Sequence, residues 1–555
     1  MIRPWRSWDI PDSVDICIVG SGPAGLTLAL ELERLGRRSL VLESGDRGAG
    51  PAQSLSAAEI VDPRRHDDMS IAAARRLGGT SNLWGGRSVP LDPVDFEPRA
   101  FACGARWPFA YEELEPWYRA ACAYATCGEP LFESPFDGVS VVSDEFSLSR
   151  IERSSNRPRF QNAHSERLET SDLIDIRLGA TIVDLTLGEN GRVSSCTIAD
   201  AGGARRELEA ERFVIAAGGL ESARLLLLMQ RRRPDLFGGA EGPLGRFYMG
   251  HVIGEIADIL FADARIESAF DFLRDGAGSY VRRRFTPGRD AMIEHNLPNI
   301  AFWPVVPPVA EPRHCSGALS AVALALSTPL LGSALAPEAI RTRHLQRPIA
   351  WGPHIRNVIA DAPQTIGFVG RFVRERYLSE ERIPGYFLRN PARRYGLSYH
   401  AEQSPRADSR VSLSKTTDLF DTPRLAIDLR FHRDDAEAVV RAHDLFQRWF
   451  EASGFGRIEY RQPAEENAEA VDARMSHGTH QIGVARMGGA RSEGVVDVDL
   501  RCFDVDNLYV VSSAVFPTSG QANPTLTIVA LAARLAAHLA TIGVKPILTS
   551  APAHA

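Results

Sequence analysis

The sequence contains almost no lysine. Among its 63 lysines and arginines, only Lys415 and Lys545 are lysines, and the formal net charge is −7 with a pI of about 6.1. This balance provides no basic surface of the kind that holds a phosphate backbone. We therefore expect no nucleic-acid partner.

Cysteine is also scarce, and the seven cysteines are scattered along the chain. No two of them have the spacing of metal ligands, and an odd number of scattered thiols does not indicate a disulfide framework. The sequence accordingly predicts a reducing, cytoplasmic location and no metal site.

Long apolar runs are missing as well. The first residues lack the apolar core of a secretory signal. The most apolar stretch, residues 316–336, is interrupted by serine, threonine, proline and glycine, so we expect no transmembrane segment there. We interpret it as a buried or lid-forming segment. Residues 341–389 are rich in arginine and aromatic residues, which fits a solvated face, a lid, or a surface for a partner or membrane.

What the sequence does contain is a strand–helix–strand unit near its amino terminus. Residues 15–19 form a short apolar run, residues 24–35 repeat apolar positions at helical spacing, and residues 38–43 form a second apolar run. The unit has about the length of a βαβ crossover, which predicts a parallel sheet.

The turn of this unit has the glycine spacing of a dinucleotide-binding site. Gly20 permits a tight turn, Gly22 lets a pyrophosphate reach the backbone, and Gly25 lets helix and strand pack closely. Glu43 ends the second strand, where a carboxylate can bind a ribose diol and would repel the extra phosphate of NADP. These residues do not separate NAD from FAD, and a tight turn without a ligand is the alternative interpretation.

Three further features favour a flavin over a nicotinamide cofactor. Residues 77–87 form a glycine-dense loop, residues 212–224 repeat the strand–turn–helix pattern, and another helix begins near Pro524. A nicotinamide dehydrogenase does not need this set of elements.

Near the carboxyl end, a histidine and an asparagine suit proton abstraction from an alcohol. His480 and Asn523 lie in turns beside apolar segments. A neutral imidazole, with a reference pKa of about 6.5, can take a hydroxyl proton near neutral pH. An amide can orient the hydroxyl oxygen but cannot accept the proton. Two alternatives stay open: His480 as a structural histidine, and Asn523 as the N-cap of a helix beginning at Pro524.

These segments resemble the glucose–methanol–choline (GMC) oxidoreductases, and most nearly their pyranose-oxidase-like, sugar-oxidising branch. The resembling segments are residues 14–43 (the FAD fingerprint), 78–86 (the loop along the flavin), 216–227, 245–251, 409–413, 480–488 and 507–539 (the carboxyl-terminal signature). The stretch from about 255 to 400 shows little that aligns. Ser512 stands where the family often has an aspartate, which puts one flavin contact in doubt.

The resemblance implies a set of site residues. His480 matches the catalytic base and Asn523 the second member of the catalytic pair. The cofactor-binding residues it implies, with the fingerprint, are Gly20, Gly22, Pro23, Ala24, Gly25, Glu43, Ser44, Gly78, Gly79, Thr80, Asn82, Leu83, Trp84, Gly85, Gly86, Ala217, Gly218, Ser512, Ser513, Pro524 and Thr525. The loop lacks the histidine that tethers the flavin in some members, so we expect non-covalent FAD.

Five other residues are weaker candidates for this region. His477 is a candidate for substrate contact, and His400, His432 and Trp303 are candidates for lining the pocket. His251 is expected to shape the FAD domain rather than take part in the chemistry.

The fold implied is α/β, with an α+β substrate part. A Rossmann-like FAD-binding domain is combined with a second domain that carries an antiparallel sheet. The expected ranges are 1–100, 165–255 and 455–545 for the FAD-binding domain, 101–164 for a helical connection, 256–454 for the substrate domain and 546–555 for a tail.

The expected function is FAD-dependent oxidation of a CH–OH group of a sugar, glycoside or aminosugar to a carbonyl. His480 abstracts the proton, and flavin N5 receives the hydride. The alternatives are a flavin-containing lyase on the same scaffold and an electron-transferring dehydrogenase subunit that acts on a non-sugar alcohol. The sequence leaves the electron acceptor (oxygen, a quinone or a protein) and the oligomeric state open.

Overall fold

The computed structural model describes residues 1–5, 11–136, 141–328, 349–374, 378, 383–385 and 387–542. The predicted tail, and parts of the segments 316–336 and 341–389 singled out above, lie outside the described residues.

The described strands are β1 (Ile2–Pro4), β2 (Ser13–Val19), β3 (Ser39–Glu43), β4 (Glu59–Ile60), β5 (Arg87–Ser88), β6 (Phe146–Ser147), β7 (Ile151–Ser154), β8 (Ile174–Leu178), β9 (Thr181–Leu187), β10 (Val193–Ala199), β11 (Arg205–Ile215), β12 (His251–Phe261), β13 (Leu273–Arg274), β14 (Tyr280–Arg283), β15 (Thr286–Pro287), β16 (Ile300–Val305), β17 (Arg394–Glu402), β18 (Arg410–Thr417), β19 (Pro423–Asp428), β20 (Gly456–Tyr460) and β21 (Leu508–Val510).

The described helices are α1 (Pro23–Arg34), α2 (Met69–Ala72), α3 (Tyr111–Leu114), α4 (Trp117–Tyr124), α5 (Phe160–Ala163), α6 (Ser165–Thr170), α7 (Gly219–Arg232), α8 (Ala264–Ser268), α9 (Arg289–Glu294), α10 (Gly317–Ser327), α11 (Trp351–Ala360), α12 (Ala362–Val373), α13 (Arg433–Ala452), α14 (Asn467–Asp472) and α15 (Thr525–Thr541).

The largest sheet is built around the glycine fingerprint. Its strand order is β1-β8-β3-β2-β11-β10-β9, and β21 pairs with β11. The strands β1, β8, β3, β2, β11 and β21 run parallel, whereas β10 and β9 extend the sheet as antiparallel strands. Because β2, β3 and β11 are parallel, their carboxyl ends meet at one edge of the sheet, where a doubly wound fold binds its nucleotide.

A second, four-stranded antiparallel sheet has the order β16-β17-β12-β20. Its apolar face packs against α13, and the ring of Phe302 stacks on that of Phe446 with centroids 5.0 Å apart. Side chains alternate between the faces of a strand, so His251, His400 and Trp303 project from the opposite face. This face carries the histidines that the site uses.

A small third sheet has the order β13-β14-β7-β5. Its register places Arg282 directly opposite Glu152, and Arg87 opposite Ser154. The sheet therefore brings arginines from two distant segments to one acidic residue.

Within the described parts of the chain, no helix combines the length and apolar character needed to cross a bilayer.

Candidate active site

A cavity of about 400 Å³ connects the amino-terminal glycine turn with the carboxyl-terminal histidine and asparagine. Most of the residues predicted to bind the cofactor or act in catalysis line this cavity. They are Gly20, Gly22, Pro23, Ala24, Glu43, Ser44, Gly79, Thr80, Leu83, Trp84, Gly85, Ala217, Gly218, His480, Ser512, Ser513, Asn523, Pro524 and Thr525. Gly25, Gly78, Asn82 and Gly86 lie outside the lining.

The three fingerprint glycines occupy different environments. Gly20 has a φ of +103°, and a Cβ there would come within 2.6 Å of the carbonyl oxygen of Ala216. A Cβ on Gly25 would come within 2.0 Å of the oxygen of Gly20, so only glycine allows helix α1 to approach its strand. A Cβ on Gly22 would meet no atom within 4 Å. Gly22 therefore leaves open space beside the first turn of α1, where backbone N–H groups attract phosphate.

Glu43 is held at the carboxyl end of β3. Its Oε2 accepts hydrogen bonds from the hydroxyl and backbone N–H of Ser21, at 2.7 and 3.1 Å, and Oε1 accepts one from the N–H of Gly45 at 2.8 Å. Oε1 thus keeps a lone pair for a further donor such as a ribose hydroxyl.

Asn82 shapes the second glycine loop from outside the cavity lining. Its Nδ2 donates to the carbonyl oxygens of Leu77 and Gly79, at 3.0 and 2.9 Å, and its Oδ1 accepts a hydrogen bond from Gln161 at 2.8 Å. All of its polar groups are engaged with protein, so the side chain stabilises the loop conformation.

The cavity lining also includes residues that were not predicted from the sequence, among them an ion pair. Arg75 and Glu221 both line the cavity and form an ion pair of 2.6 Å, and Nη1 of Arg75 also donates to the hydroxyl of Ser44 at 3.2 Å. Two sequence features could have indicated these residues. Arg75 lies just before the second glycine loop, and Glu221 lies at the start of α7.

His480 and Asn523 are in direct contact, with 3.1 Å between Nε2 of the imidazole and Nδ2 of the amide. Helix α15 begins at Thr525, with Pro524 as its N-cap residue and without a side-chain capping bond. The N-cap interpretation of Asn523 is therefore wrong, because its amide bonds the imidazole instead. The oxygen Oδ1 of Asn523 is buried and has no hydrogen-bond partner among the described residues.

His480 lies in a cluster of four histidines. Its Nδ1 is 2.8 Å from Nδ1 of His251, and its ring centroid is 4.5 Å from that of His477. His400 stacks on His251 with centroids 4.2 Å apart. His432 lies elsewhere, 3.2 Å from an oxygen of Asp408. No sequence pattern indicates the contact with His251, since 229 positions separate the two residues.

The cluster is neutral because it is buried. Burial lowers the pKa of His480 well below its usual range, and the neighbouring His477, His251 and Arg87 shift it in the same direction. Burial likewise lowers the pKa of His477 to about 3. At neutral pH, His480 therefore has a free lone pair with which to accept a proton.

Three of these histidines also come near the spacing of metal ligands. Ligand atoms of His251, His477 and His480 lie within 4.8 Å of one another. However, the 2.8 Å between the Nδ1 atoms of His251 and His480 is a hydrogen-bond length. Two nitrogens bound tetrahedrally to zinc at about 2.0–2.1 Å would lie roughly 3.4 Å apart. The geometry favours a shared proton, and the absence of a metal stays a prediction.

The cavity suits a flavin dinucleotide. It extends from the open space beside Gly22, past the carboxylate of Glu43, to the imidazole of His480. It combines an anion-binding helix start, a carboxylate for a ribose and an apolar wall that includes Trp84. These are the donor and contact groups that an adenine dinucleotide with a flat ring system requires.

The fold and this cavity define a dinucleotide-dependent α/β oxidoreductase. Residues 405–532 match the model of the GMC oxidoreductase family, and residues 18–71 match a model of NAD(P)-binding Rossmann-like domains.

Several curated proteins are similar over nearly the whole chain. The chain is 23% identical to paromamine 6'-oxidase of Streptomyces fradiae, over 95% of this chain and 92% of that protein. It is 24% identical to 6'''-hydroxyparomomycin C oxidase of Streptomyces lividus (95% and 92%). It is 22% identical to 2-methyl-1,2-propanediol dehydrogenase of Mycolicibacterium austroafricanum (94% and 94%).

Solved structures share the fold. Pyridoxine 4-oxidase from Mesorbium loti superposes with a TM-score of 0.55 at 18% identity, over 94% of this chain and 98% of that one. A fungal aryl-alcohol oxidase superposes with a TM-score of 0.53 at 14% identity, over 96% and 99%.

The chain is an oxidoreductase whose residues 405–532 form a GMC oxidoreductase domain, and it is similar over most of its length to two oxidases and a dehydrogenase. A GMC oxidoreductase domain implies FAD as the cofactor.

Proposed function

We propose that this enzyme oxidises a CH–OH group of a sugar, glycoside or aminosugar to a carbonyl. His480 acts as the general base and Asn523 orients the hydroxyl. The observation that carries this proposal is the contact between His480 and Asn523 at the wall of the dinucleotide cavity.

The hydrogen-bond pattern supports His480 as the base. In the arrangement described, the amide N–H of Asn523 donates to Nε2 of His480, so this nitrogen carries a lone pair. Its proton then lies on Nδ1 and is donated to His251. A hydroxyl that enters between the two side chains would accept from the amide and donate to Nε2, which is the geometry for abstraction of its proton.

FAD, when bound, supplies the two-electron acceptor at N5 of its ring. The protein contributes the amino-terminal end of helix α15, which begins directly after Asn523 and whose residues Pro524 and Thr525 line the cavity. The partial positive charge at that end favours negative charge nearby. We propose that this helix end stabilises the anionic reduced ring.

We also propose that FAD is bound non-covalently. Among the described residues that line the cavity, His480 is the only histidine, and the lining includes no cysteine or tyrosine. If His480 is the base, no side chain of a type that tethers flavins remains free there.

The substrate assignment rests on the relatives. Two of them are named as oxidases of paromamine and of 6'''-hydroxyparomomycin C, and a third as a dehydrogenase of a small diol. With the resemblance to the pyranose-oxidase-like branch, these names favour a sugar or glycoside. They leave the electron acceptor open.

We also propose that the two large sheets have separate roles. We assign cofactor binding to the sheet that contains β2, β3 and β11. We assign substrate binding to the face of the second sheet that carries His400 and Trp303. The sequence-based domain boundaries stay a prediction.

Anaerobic mixing with a panel of sugars and simple alcohols tests the proposal. We expect absorbance near 450 nm, where oxidised flavins absorb, to be lost with at least one sugar or glycoside. Product formation with an unchanged spectrum would instead indicate a lyase. Dye reduction without peroxide in air would indicate a dehydrogenase that passes electrons to a partner.

A further inference from the structure

Three arginines surround one buried carboxylate beside the reaction centre. Glu152 is 4% exposed, and its Oε1 accepts hydrogen bonds from Nε and Nη2 of Arg282, at 2.9 and 2.5 Å. Its Oε2 is 2.6 Å from Nε of Arg87 and 4.0 Å from Nε of Arg284. These contacts define what we call the Arg87 cluster: Arg87, Arg282, Arg284 and Glu152.

The Arg87 cluster carries excess positive charge. The arginines lower the pKa of Glu152 to about 2 against the effect of its burial, so the carboxylate is ionised. Three guanidinium groups against one carboxylate leave a local charge of about +2. A further acid, Asp92, accepts a hydrogen bond from Nε2 of Gln521 at 2.9 Å and pairs with the guanidinium of Arg150 at 3.6 Å.

Three buried donors of the cluster lack a hydrogen bond. Nε and Nη2 of Arg87 and Nε of Arg284 have no hydrogen-bond partner among the described residues, although Nε of Arg87 is in ion-pair contact with Glu152. The side chain of Arg284 is only 2% exposed, whereas that of Arg87 is 20% exposed. A buried cationic donor without an acceptor is costly, and such donors are the groups that a bound anion would satisfy.

The cluster adjoins the proposed catalytic residues. Arg87 follows Gly85 of the cavity lining by two positions, and its guanidinium lies 4.4 Å from the ring centroid of Trp303. The strand register places Trp303 on the same sheet face as His400. The ring of His400 is 5.7 Å from that of His480.

A second connection runs through Gln521, which precedes Asn523 by two positions. Nη1 of Arg284 donates to the side-chain oxygen of Gln521 at 2.5 Å. The backbone oxygen of Gln521 is 2.5 Å from Nδ1 of His400. Gln521 therefore contacts both Arg284 and His400, and it lies two positions before Asn523 of the proposed catalytic pair.

We propose that the Arg87 cluster is an anion subsite for the substrate, with Arg87 as the contacting residue and Arg282 and Arg284 behind it. The alcohol oxidised at His480 then carries a carboxylate or a phosphate on the same molecule. This inference rests on the proposed alcohol oxidation and narrows it. A planar guanidinium binds either anion through paired hydrogen bonds, whereas an aminosugar cation would be repelled by the excess positive charge.

The substrate test compares four sugars as reductants of the bound flavin under anaerobic conditions. They are D-glucuronate, D-glucose 6-phosphate, neutral D-glucose and cationic D-glucosamine. We expect one of the two anionic sugars to have the lowest KM, and the comparison between these two identifies carboxylate or phosphate as the group recognised. Equal or better reduction by glucose or glucosamine would overturn the proposal.

The variant test uses Arg87→Gln, with Arg289→Gln as the matched control. Arg289 is exposed and pairs with Glu97 at 2.7 Å, on a different part of the surface. Arg87→Gln should raise KM for the anionic sugar by ~10- to 100-fold, the range for losing one charge-assisted hydrogen bond. In Arg87→Gln, the anionic sugar should no longer have a lower KM than neutral glucose. Arg289→Gln should keep the KM values of the wild type. An unchanged KM in folded Arg87→Gln would refute the assignment.

A binding measurement separates this inference from the proposed function. Sulfate, titrated calorimetrically into the FAD-loaded enzyme, should bind to the wild type, at least tenfold more weakly to Arg87→Gln, and detectably to Arg87→Lys, which keeps the charge. The Lys variant also preserves the test if Arg87→Gln does not fold. Sulfate binding with no sugar oxidation would mean that the proposed function fails but the subsite stands. Sugar oxidation with no sulfate binding and no anion preference would mean that the subsite assignment fails but the proposed function stands.

Discussion

Replacing His251 by leucine should slow alcohol oxidation. Nδ1 of His251 lies 2.8 Å from Nδ1 of His480, on the side of the imidazole opposite Asn523. Since Asn523 donates to Nε2, the ring proton of His480 lies on Nδ1 and needs an acceptor. Leucine has a similar size but cannot accept a hydrogen bond.

The size of the effect follows from the charge that His480 acquires. A hydrogen bond between neutral groups contributes about 0.5–1.5 kcal/mol net, and one to a charged group about 1.5–3 kcal/mol. The difference, roughly 1–1.5 kcal/mol, favours the transition state in which His480 takes up the proton. His251→Leu should therefore reduce flavin about 5- to 15-fold more slowly.

The assay is anaerobic stopped-flow reduction of the bound flavin between pH 5 and 9. His251→Asn is the matched control, because its amide oxygen can replace Nδ1 as the acceptor, and we expect it to recover most of the rate. An equal loss in both variants would mean that His251 only packs against His480.

Three further predictions concern the cofactor and the histidine cluster. Gly22→Ala should fold normally but bind FAD more weakly, because its Cβ would enter the open space beside α1 that attracts phosphate. Gly25→Ala should instead lower the melting temperature, because its Cβ would lie 2.0 Å from the oxygen of Gly20. Thermal melting and the ratio of flavin to protein distinguish the two variants. Hot-acid precipitation should release the yellow chromophore into the supernatant, and a yellow pellet would contradict non-covalent binding. Burial lowers the pKa of His251, His400 and His477, so the unfolded chain binds more protons below about pH 6.5. Stability should then fall with decreasing pH, by up to about 1.4 kcal/mol per histidine per pH unit, and melting temperatures that do not change from pH 7.5 to 5 would contradict this.

Local sequence patterns predicted the regular elements well. The fingerprint strand and helix, expected at residues 15–19 and 24–35, are found at Ser13–Val19 and Pro23–Arg34. The apolar spacing of residues 433–453 also predicts a long helix, and the structure has one at Arg433–Ala452. These elements depend on apolar periodicity and on glycine at fixed positions, which are visible in a single sequence.

The sequence pattern of residues 111–124 predicts one helix. The structure has two, Tyr111–Leu114 and Trp117–Tyr124, separated at Pro116. Proline has no backbone N–H to donate and clashes with the preceding turn, so the helix is interrupted there.

The surroundings of the site depend on strand register, which the sequence pattern does not specify. His251 lies in β12 and His400 in β17, and only the pairing of these strands brings both rings to His480. Arg87, Glu152 and Arg282 meet for the same reason in the small third sheet. A motif can indicate that His480 is present at the site, but its neighbours come from segments without a recognisable motif.

In the proposed reaction, the imidazole of His480 takes the hydroxyl proton while FAD accepts the electrons. The most direct test is anaerobic reduction of bound flavin by the best sugar of the panel, with wild type and His480→Ala compared at equal flavin content. We expect His480→Ala to retain FAD and to lose at least ~10²-fold in the rate of reduction, the lower end for removal of a general base. Reduction by the variant at a rate near that of the wild type would contradict the account.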